Sequence, residues 1–255
     1  GTRIAGMDTS ALANVAGALF ILPFFLFSAT AGQIADKFEK SRLMRAIKLL
    51  EIVLMALAAL AFVSGHYALL LLVLFLMGCQ STLFGPVKYA YLPQQLEPRE
   101  LIGGNALVES GTYLAIILGL LIGGIAASID GSGQSVMATC LVCIATTGYL
   151  TSRRIPPTRA VDPGLTISWN PWKESRRILG YARETRSVFL SILGISWFWF
   201  YGSAITLQVP GYTLLVLNGS EEITTALLVA FAVGIGVGSL LCERLSGGRI
   251  ELGLV

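Results

Sequence analysis

The chain has 255 residues, of which 55% are hydrophobic and only 13% charged, with a formal net charge of +3. Soluble domains carry about 25% charge, so this composition excludes an ordinary soluble fold and points to a polytopic helical membrane protein. The small positive excess reflects topology rather than nucleic-acid binding.

Gly1–Ser10 reads as a short polar lead, without the basic region and cleavage site of a signal peptide. A membrane span needs about 20 apolar residues at 1.5 Å rise each. Ala11–Ala35 meets this, with Pro23 as a tolerated helix-bending residue. The second span is predicted over Met44–Val63 and the third from Ala68 to Ser81, extending to Tyr91 if Pro86 does not break it. Pro93–Leu101 is a link. The fourth span covers Ile102–Ser128, the fifth Ser135–Thr151, the sixth Ser187–Val209 and the seventh Ile223–Leu241. The expected fold is therefore an all-α membrane protein with seven spans.

Lys and Arg test that list. Apart from Arg3, they fall in or beside alternate links, after the first, third, fifth and seventh spans. Basic residues mark the cytoplasmic side, so the first residue is expected outside and the last inside. Within the long link at 152–186, Asn170-Pro171-Trp172 reads as a helix cap followed by Pro at the first helical position. Trp172, Leu179 and Ala182 can share one face, and Lys173, Glu174, Arg177 and Glu184 lie largely elsewhere, which suggests a helix at the membrane surface.

Cys79, Cys140, Cys143 and Cys242 lie in apolar stretches, so neither a disulfide framework nor a metal site is expected. His66, the single histidine, sits in a turn. An ionisable group inside a span is a functional candidate by default. Glu109 lies seven positions into its predicted span, with Asn105 one turn before it and Thr112 or Tyr113 one turn after. Gln80, Phe84 and Lys88 share the i, i+4, i+8 face of the preceding span, and Tyr89 follows. A Lys88–Glu109 ion pair is geometrically possible, as a weld between helices or as a substrate contact. Glu51 reads as lying near the start of its span beside Lys48, equally a snorkelling partner or a site residue. Gly119-Leu-Leu-Ile-Gly123-Gly124 reads as a helix-packing face.

The stretch Gly32-Gln-Ile-Ala-Asp36-Lys37-Phe-Glu39-Lys40-Ser-Arg42 resembles the loop between the second and third helices of the major facilitators, with Glu39 where that pattern usually has Gly. Gly238-Ser-Leu-Leu-Cys-Glu243-Arg244-Leu-Ser-Gly247-Gly-Arg249 is a degenerate copy 206 positions later, as expected of parallel-half transporters. That register makes the seven spans helices two to eight of twelve. Residues 1–151 then form the first half without its first helix, 152–186 the inter-half link, and 187–255 the start of the second half.

Phe84-Gly-Pro-Val-Lys88-Tyr89, Leu92-Pro93-Gln94 and Gly103-Gly-Asn105-Ala-Leu-Val-Glu109 are more specific. Together with Phe20-Ile-Leu-Pro-Phe-Phe-Leu-Phe they resemble the bacterial lysophospholipid transporter branch of the major facilitators. The resemblance implies a flippase that moves lysophospholipids such as lysophosphatidylethanolamine from the outer to the inner leaflet of the bacterial inner membrane. It also implies a partner, an acyltransferase–acyl carrier protein synthetase, separate or fused, that restores the missing chain. Gln80, Lys88, Tyr89, Asn105, Glu109 and Tyr113 are then substrate-binding candidates, Phe20, Phe24, Phe25 and Phe27 apolar wall, and Gly32, Asp36, Lys37 and Arg42 gating residues. No nucleotide-binding loop is read from the sequence, which argues against direct ATP drive; no cofactor is expected, and His66 has no acid four residues beyond it, which argues against an acyltransferase enzyme. Competing readings are a facilitator for another solute and a membrane anchor of a fused acyltransferase.

Overall fold

The computed structural model describes residues 3–4, 7–129 and 131–246. Two short paired strands, β1 (Arg3–Ile4) and β2 (Met7–Asp8), precede helices α1 (Thr9–Lys37), α2 (Lys40–Ser64), α3 (Tyr67–Tyr91), α4 (Leu101–Ser128), α5 (Gly133–Ser152), α6 (Pro171–Glu184), α7 (Arg186–Leu215) and α8 (Glu221–Ser246). Among the described residues, seven helices are long and apolar enough to cross a membrane; α6, with 14 residues, is the exception. The all-α, seven-span expectation holds, and the chain is a multi-pass membrane protein.

The boundaries differ from the sequence reading in an informative direction. α2 begins at Lys40 rather than Met44, because Glu39 caps its first turn and draws Lys40 and Arg42 into the helix. α3 continues through Pro86 to Tyr91 and α7 through Pro210 to Leu215. The stretch expected to be a Gly-started loop is mostly helix. Gly32 lies inside α1 with open space where a Cβ would stand, and only Phe38 and Glu39 connect α1 to α2. The later copy of this stretch runs inside α8 as far as Ser246; its Gly247 and Arg249 lie outside the described residues.

The chain divides into two compact units, Gly1–Gln94 with Ile129–Ser175, and Gln95–Ser128 with Arg176–Val255. In the first, α3 packs on α1 and α2, and α5 packs on α2. The α1–α3 approach depends on Gly78: a Cβ there would collide with the Phe20 carbonyl oxygen and meet Pro23 at 3.0 Å. Small residues permit such close backbone contact between membrane helices. Ala35, Met44, Ile47 and Val87 form one buried cluster, against which Ile155 of the following link packs, and Leu54, Met55 and Ala145 form another.

In the second unit α8 packs on α4 and α7. The Ser110 hydroxyl donates to the Gly236 carbonyl at 3.1 Å, and the Tyr113 Cβ lies beside Gly236. Much of α7 presents apolar side chains outward, including Trp197, Phe198, Trp199 and Phe200. The linker helix forms as the sequence indicates: the Asn170 side-chain oxygen accepts from the Lys173 N–H at 3.1 Å. Trp172 and Leu179 are exposed as expected of an outward apolar face, whereas Glu174 and Ala182 are buried. Ala182 therefore belongs with Glu174 rather than with the exposed apolar face.

Candidate functional site

The Phe38–Glu39 connection is held from outside by the link after α5. Glu39, in extended backbone, accepts from the Ser41 and Arg42 N–H groups at 2.8 and 2.9 Å and from the Ser41 hydroxyl at 3.0 Å. It also accepts from the Thr158 N–H at 2.8 Å and hydroxyl at 3.1 Å. Burial works against its charge, but the N–H groups of Thr158, Ser41 and Arg42 and the Ser41 hydroxyl outweigh it, lowering the carboxyl to about 2. This explains the departure from Gly at this position: a capping carboxylate builds the turn.

Neighbouring contacts extend this clasp. The Asp36 carbonyl accepts from the Val161 and Asp162 N–H groups at 3.0 Å. Gln33 exchanges two hydrogen bonds with the Ser168 backbone, and the Arg45 guanidinium donates to the Ile155 carbonyl at 3.0 Å. Lys40 is completely buried. With the Gln94 amide oriented so that its oxygen faces Lys40, the ammonium donates to it at 2.9 Å, and the amide nitrogen donates to the Arg159 carbonyl.

A second polar group lies inside the helices. Glu51 is the twelfth of the 25 residues of α2, about 17 Å along the axis from Lys40. It stands at the middle of its helix rather than near the start. The Lys48 ammonium donates to Glu51 Oε2 at 2.7 Å, and the Gln80 amide, from α3, donates to the same oxygen at 2.8 Å. Gln80 is buried, whereas the Lys48 and Glu51 side chains keep 23% and 15% of their surface. The Lys48 ammonium also lies 4.9 Å from the Phe84 ring centre, and its stem runs along Gly148 of α5. An ion pair at this depth carries a real desolvation cost.

One turn beyond Glu51 and Gln80 the chemistry changes. Met55 and Met77, four residues after the first and three before the second, help line a cavity of about 330 Å³ that continues past Ala58, Val73 and Leu74 to Phe62 and Tyr67. Its lining residues are apolar, with Tyr67 the one that carries a polar side-chain group. The volume falls within the ~300–1,000 Å³ of small-molecule pockets. A charged head and an apolar sleeve therefore stand in series along α2 and α3.

The remaining candidates are placed as follows. Lys88 stays on the Gln80–Phe84 face because α3 continues through Pro86, and its ammonium lies 4.6 Å from the ring centre of Tyr89. On α4, Asn105 is exposed, Glu109 half-buried and Tyr113 buried. Lys88 belongs to the first unit and Glu109 to the second. Of the gating candidates, Asp36 engages the link through its backbone carbonyl. Lys37 reaches over Phe38 at 6.0 Å, and Arg42 lies 3.8 Å from Glu39 while remaining largely exposed. The sequence reading placed Glu51 too near the helix start. The signal available was the Glu39-Lys-Ser start of α2, which moves the helix origin four residues earlier.

The Major Facilitator Superfamily profile matches residues 6–253. Among curated proteins, the chain is similar to the lysophospholipid transporter LplT of Enterobacter sp. (strain 638), 30% identical over 233 residues. It is also similar to LplT of Klebsiella pneumoniae, 30% identical over 237 residues, and to LplT of Escherichia coli O139:H28, 29% identical over 234. Each alignment covers 89% of this chain and 55% of the relative. The chain thus spans about half the length of the curated relatives it matches.

Proposed function

This chain belongs to the Major Facilitator Superfamily, and from that premise we propose that its parent protein is a lysophospholipid transporter working by alternating access. Similarity to LplT proteins along 89% of the chain supports the substrate class. The observation that carries the reading is the mid-helix Lys48–Glu51–Gln80 group standing one turn from an apolar cavity. A single-chain amphiphile needs that order of surfaces, polar for its headgroup and apolar for its tail.

In this reading α1–α5 are helices two to six, the link crosses between halves, and α7 and α8 are helices seven and eight of twelve. The first residue lies outside and the last inside a bacterial inner membrane, in agreement with the alternation of basic links. Movement runs from outer to inner leaflet, and an acyltransferase–acyl carrier protein synthetase consumes the product. In the first unit Lys88, near one end of α3 with Gln80 and Tyr89 on the same helix, receives phosphate; in the second, Glu109, with Asn105 and Tyr113 on α4, receives an amine. The Gly32–Arg42 stretch gates the transporter. The clasp on Glu39 and Asp36 holds one state, and its release accompanies the other.

The test is lysophosphatidylethanolamine uptake in cells lacking their own transporter and expressing the full-length parent, with reacylation present. Inward movement and conversion to phosphatidylethanolamine above a vector control are expected. Uptake equal to the control, with the protein inserted in the membrane, overturns the reading. Lys88→Ala and Glu109→Gln are each expected to lower uptake at least tenfold; unchanged uptake in both removes them from the site.

A further inference from the structure

We propose that Lys48, Glu51 and Gln80 form a headgroup subsite for zwitterionic lysophospholipids, in which the Lys48 ammonium takes the phosphate and the Glu51 carboxylate takes the amine. The inference rests on the lysophospholipid reading and deepens it. It adds a station about two turns from Lys88 along α3, at mid-helix rather than at the end.

Three features of the cluster support a ligand as well as a weld. First, both donors converge on one oxygen of Glu51: Lys48 at 2.7 Å and Gln80 at 2.8 Å both reach Oε2. Among the described residues Oε1 accepts no hydrogen bond, so the carboxylate keeps an acceptor for an incoming ammonium. Second, the Lys48 ammonium has three N–H groups and gives one to Glu51, leaving donors for phosphate oxygens. The Phe84 ring at 4.9 Å stabilises the cation while it is paired and while it is changing partners. Third, both charged side chains retain some accessible surface, unlike the fully enclosed Lys40.

A zwitterion suits this arrangement because it brings one charge of each sign. Docking beside the pair adds a phosphate next to Lys48 and an ammonium next to Glu51, so each charge gains a partner and the site stays neutral. An anionic headgroup without an amine satisfies Lys48 alone and places its negative charge near Glu51. The tail then has one direction to take, past Met55 and Met77 into the cavity that reaches Phe62 and Tyr67. Gln80, with its amide held by Glu51 and its carbonyl accepting from the Ser81 hydroxyl at 3.3 Å, keeps the carboxylate aimed.

The experiment compares two substrates within each variant of the full-length parent: lysophosphatidylethanolamine, which has the amine, and lysophosphatidylglycerol, which has a phosphate and no amine. Glu51→Gln is expected to lower the uptake ratio of the first to the second at least tenfold. Lys48→Gln is expected to lower both uptakes. Should Glu51→Gln fail to reach the membrane, Glu51→Asp keeps the charge but withdraws it by one methylene, and the ratio is expected to fall in the same direction by a smaller factor. Equal losses for both substrates in the Glu51 variants reduce the cluster to a helix weld and overturn the proposal, as does an unchanged ratio. A wild-type parent that takes up neither substrate overturns the transport reading itself, a result distinct from an unchanged ratio in a working transporter.

Discussion

Two carboxylates twelve residues apart, one capping α2 and one at its middle, are stabilised by opposite means. Glu39 is held by N–H groups and hydroxyls of its own turn and of the link at Thr158. Glu51 is held wholly by side chains, Lys48 and Gln80. Backbone donors cannot turn away without the chain moving, so undocking of the link takes the Thr158 contacts from Glu39 and leaves those of its own turn. The Lys48 side chain keeps accessible surface and can change rotamer without the backbone moving, so Glu51 can exchange that partner while α2 and α3 stay in place. The first arrangement suits a clasp between segments, and the second suits a site that meets and releases a ligand.

Removing each carboxylate's partners should separate them. Glu39→Ala removes the helix cap and the acceptor of the Ser41, Arg42 and Thr158 N–H groups together, and a loss of about 3 kcal/mol is expected from the lost cap and the part-buried donors left unsatisfied. Thermal unfolding of the purified parent reads this as a lower Tm, and trypsin should cut faster at Arg159. A Tm equal to wild type would show that the clasp is decorative. The same contact gives a pH dependence. Because the folded carboxyl is lowered to about 2 from an ordinary value near 4.5, its stabilisation is complete above about 4.5 and is lost as pH falls toward 2. Protection of Arg159 from an acid-active protease that cuts this link should follow that window in wild type and show no such window in Glu39→Gln.

Lys48→Met should cost about 2 kcal/mol, below the ~3–5 kcal/mol of a fully buried broken pair because Glu51 keeps Gln80 and some solvent. The double variant Lys48→Met/Glu51→Met should recover that stability, since replacing both members of a buried pair by apolar groups is often neutral, while uptake remains lost. No such rescue is available at Glu39, where the partners are main-chain groups. If the double variant transports normally, the cluster is structural. The smallest effect is expected at Thr158→Val, which removes the hydroxyl bonds to Glu39 and from the Lys40 N–H and should cost about 1 kcal/mol, again read as Tm.

Much of the fold was legible from hydropathy, because a membrane span shows itself as a long uncharged run. The seven spans and the linker helix follow from that pattern and from the Asn170-Pro171 cap. Depth was less legible. Counting α2 from its first apolar residue placed Glu51 near an end, whereas Glu39 caps the helix and adds a charged first turn. The clasp was not visible at all: its partners, such as Glu39 with Thr158, are 119 residues apart, and no local period joins them. Of the candidate site residues, Gln80 stands out by its helical face with Lys88, but its hydrogen-bond partner Glu51 lies across a helix interface that spacing within one helix cannot reveal.

The most direct test of an amphiphile site along α2 and α3 is to fill the apolar sleeve and leave the charges alone. Ala58 is buried and lines the cavity, whereas Leu60, two residues on, is exposed. Lysophosphatidylethanolamine uptake by the full-length parent carrying Ala58→Phe should fall at least tenfold, with Tm unchanged or raised, and Leu60→Phe should transport as wild type does. Undiminished uptake with Phe at position 58 would contradict the account, because the tail would then be travelling elsewhere.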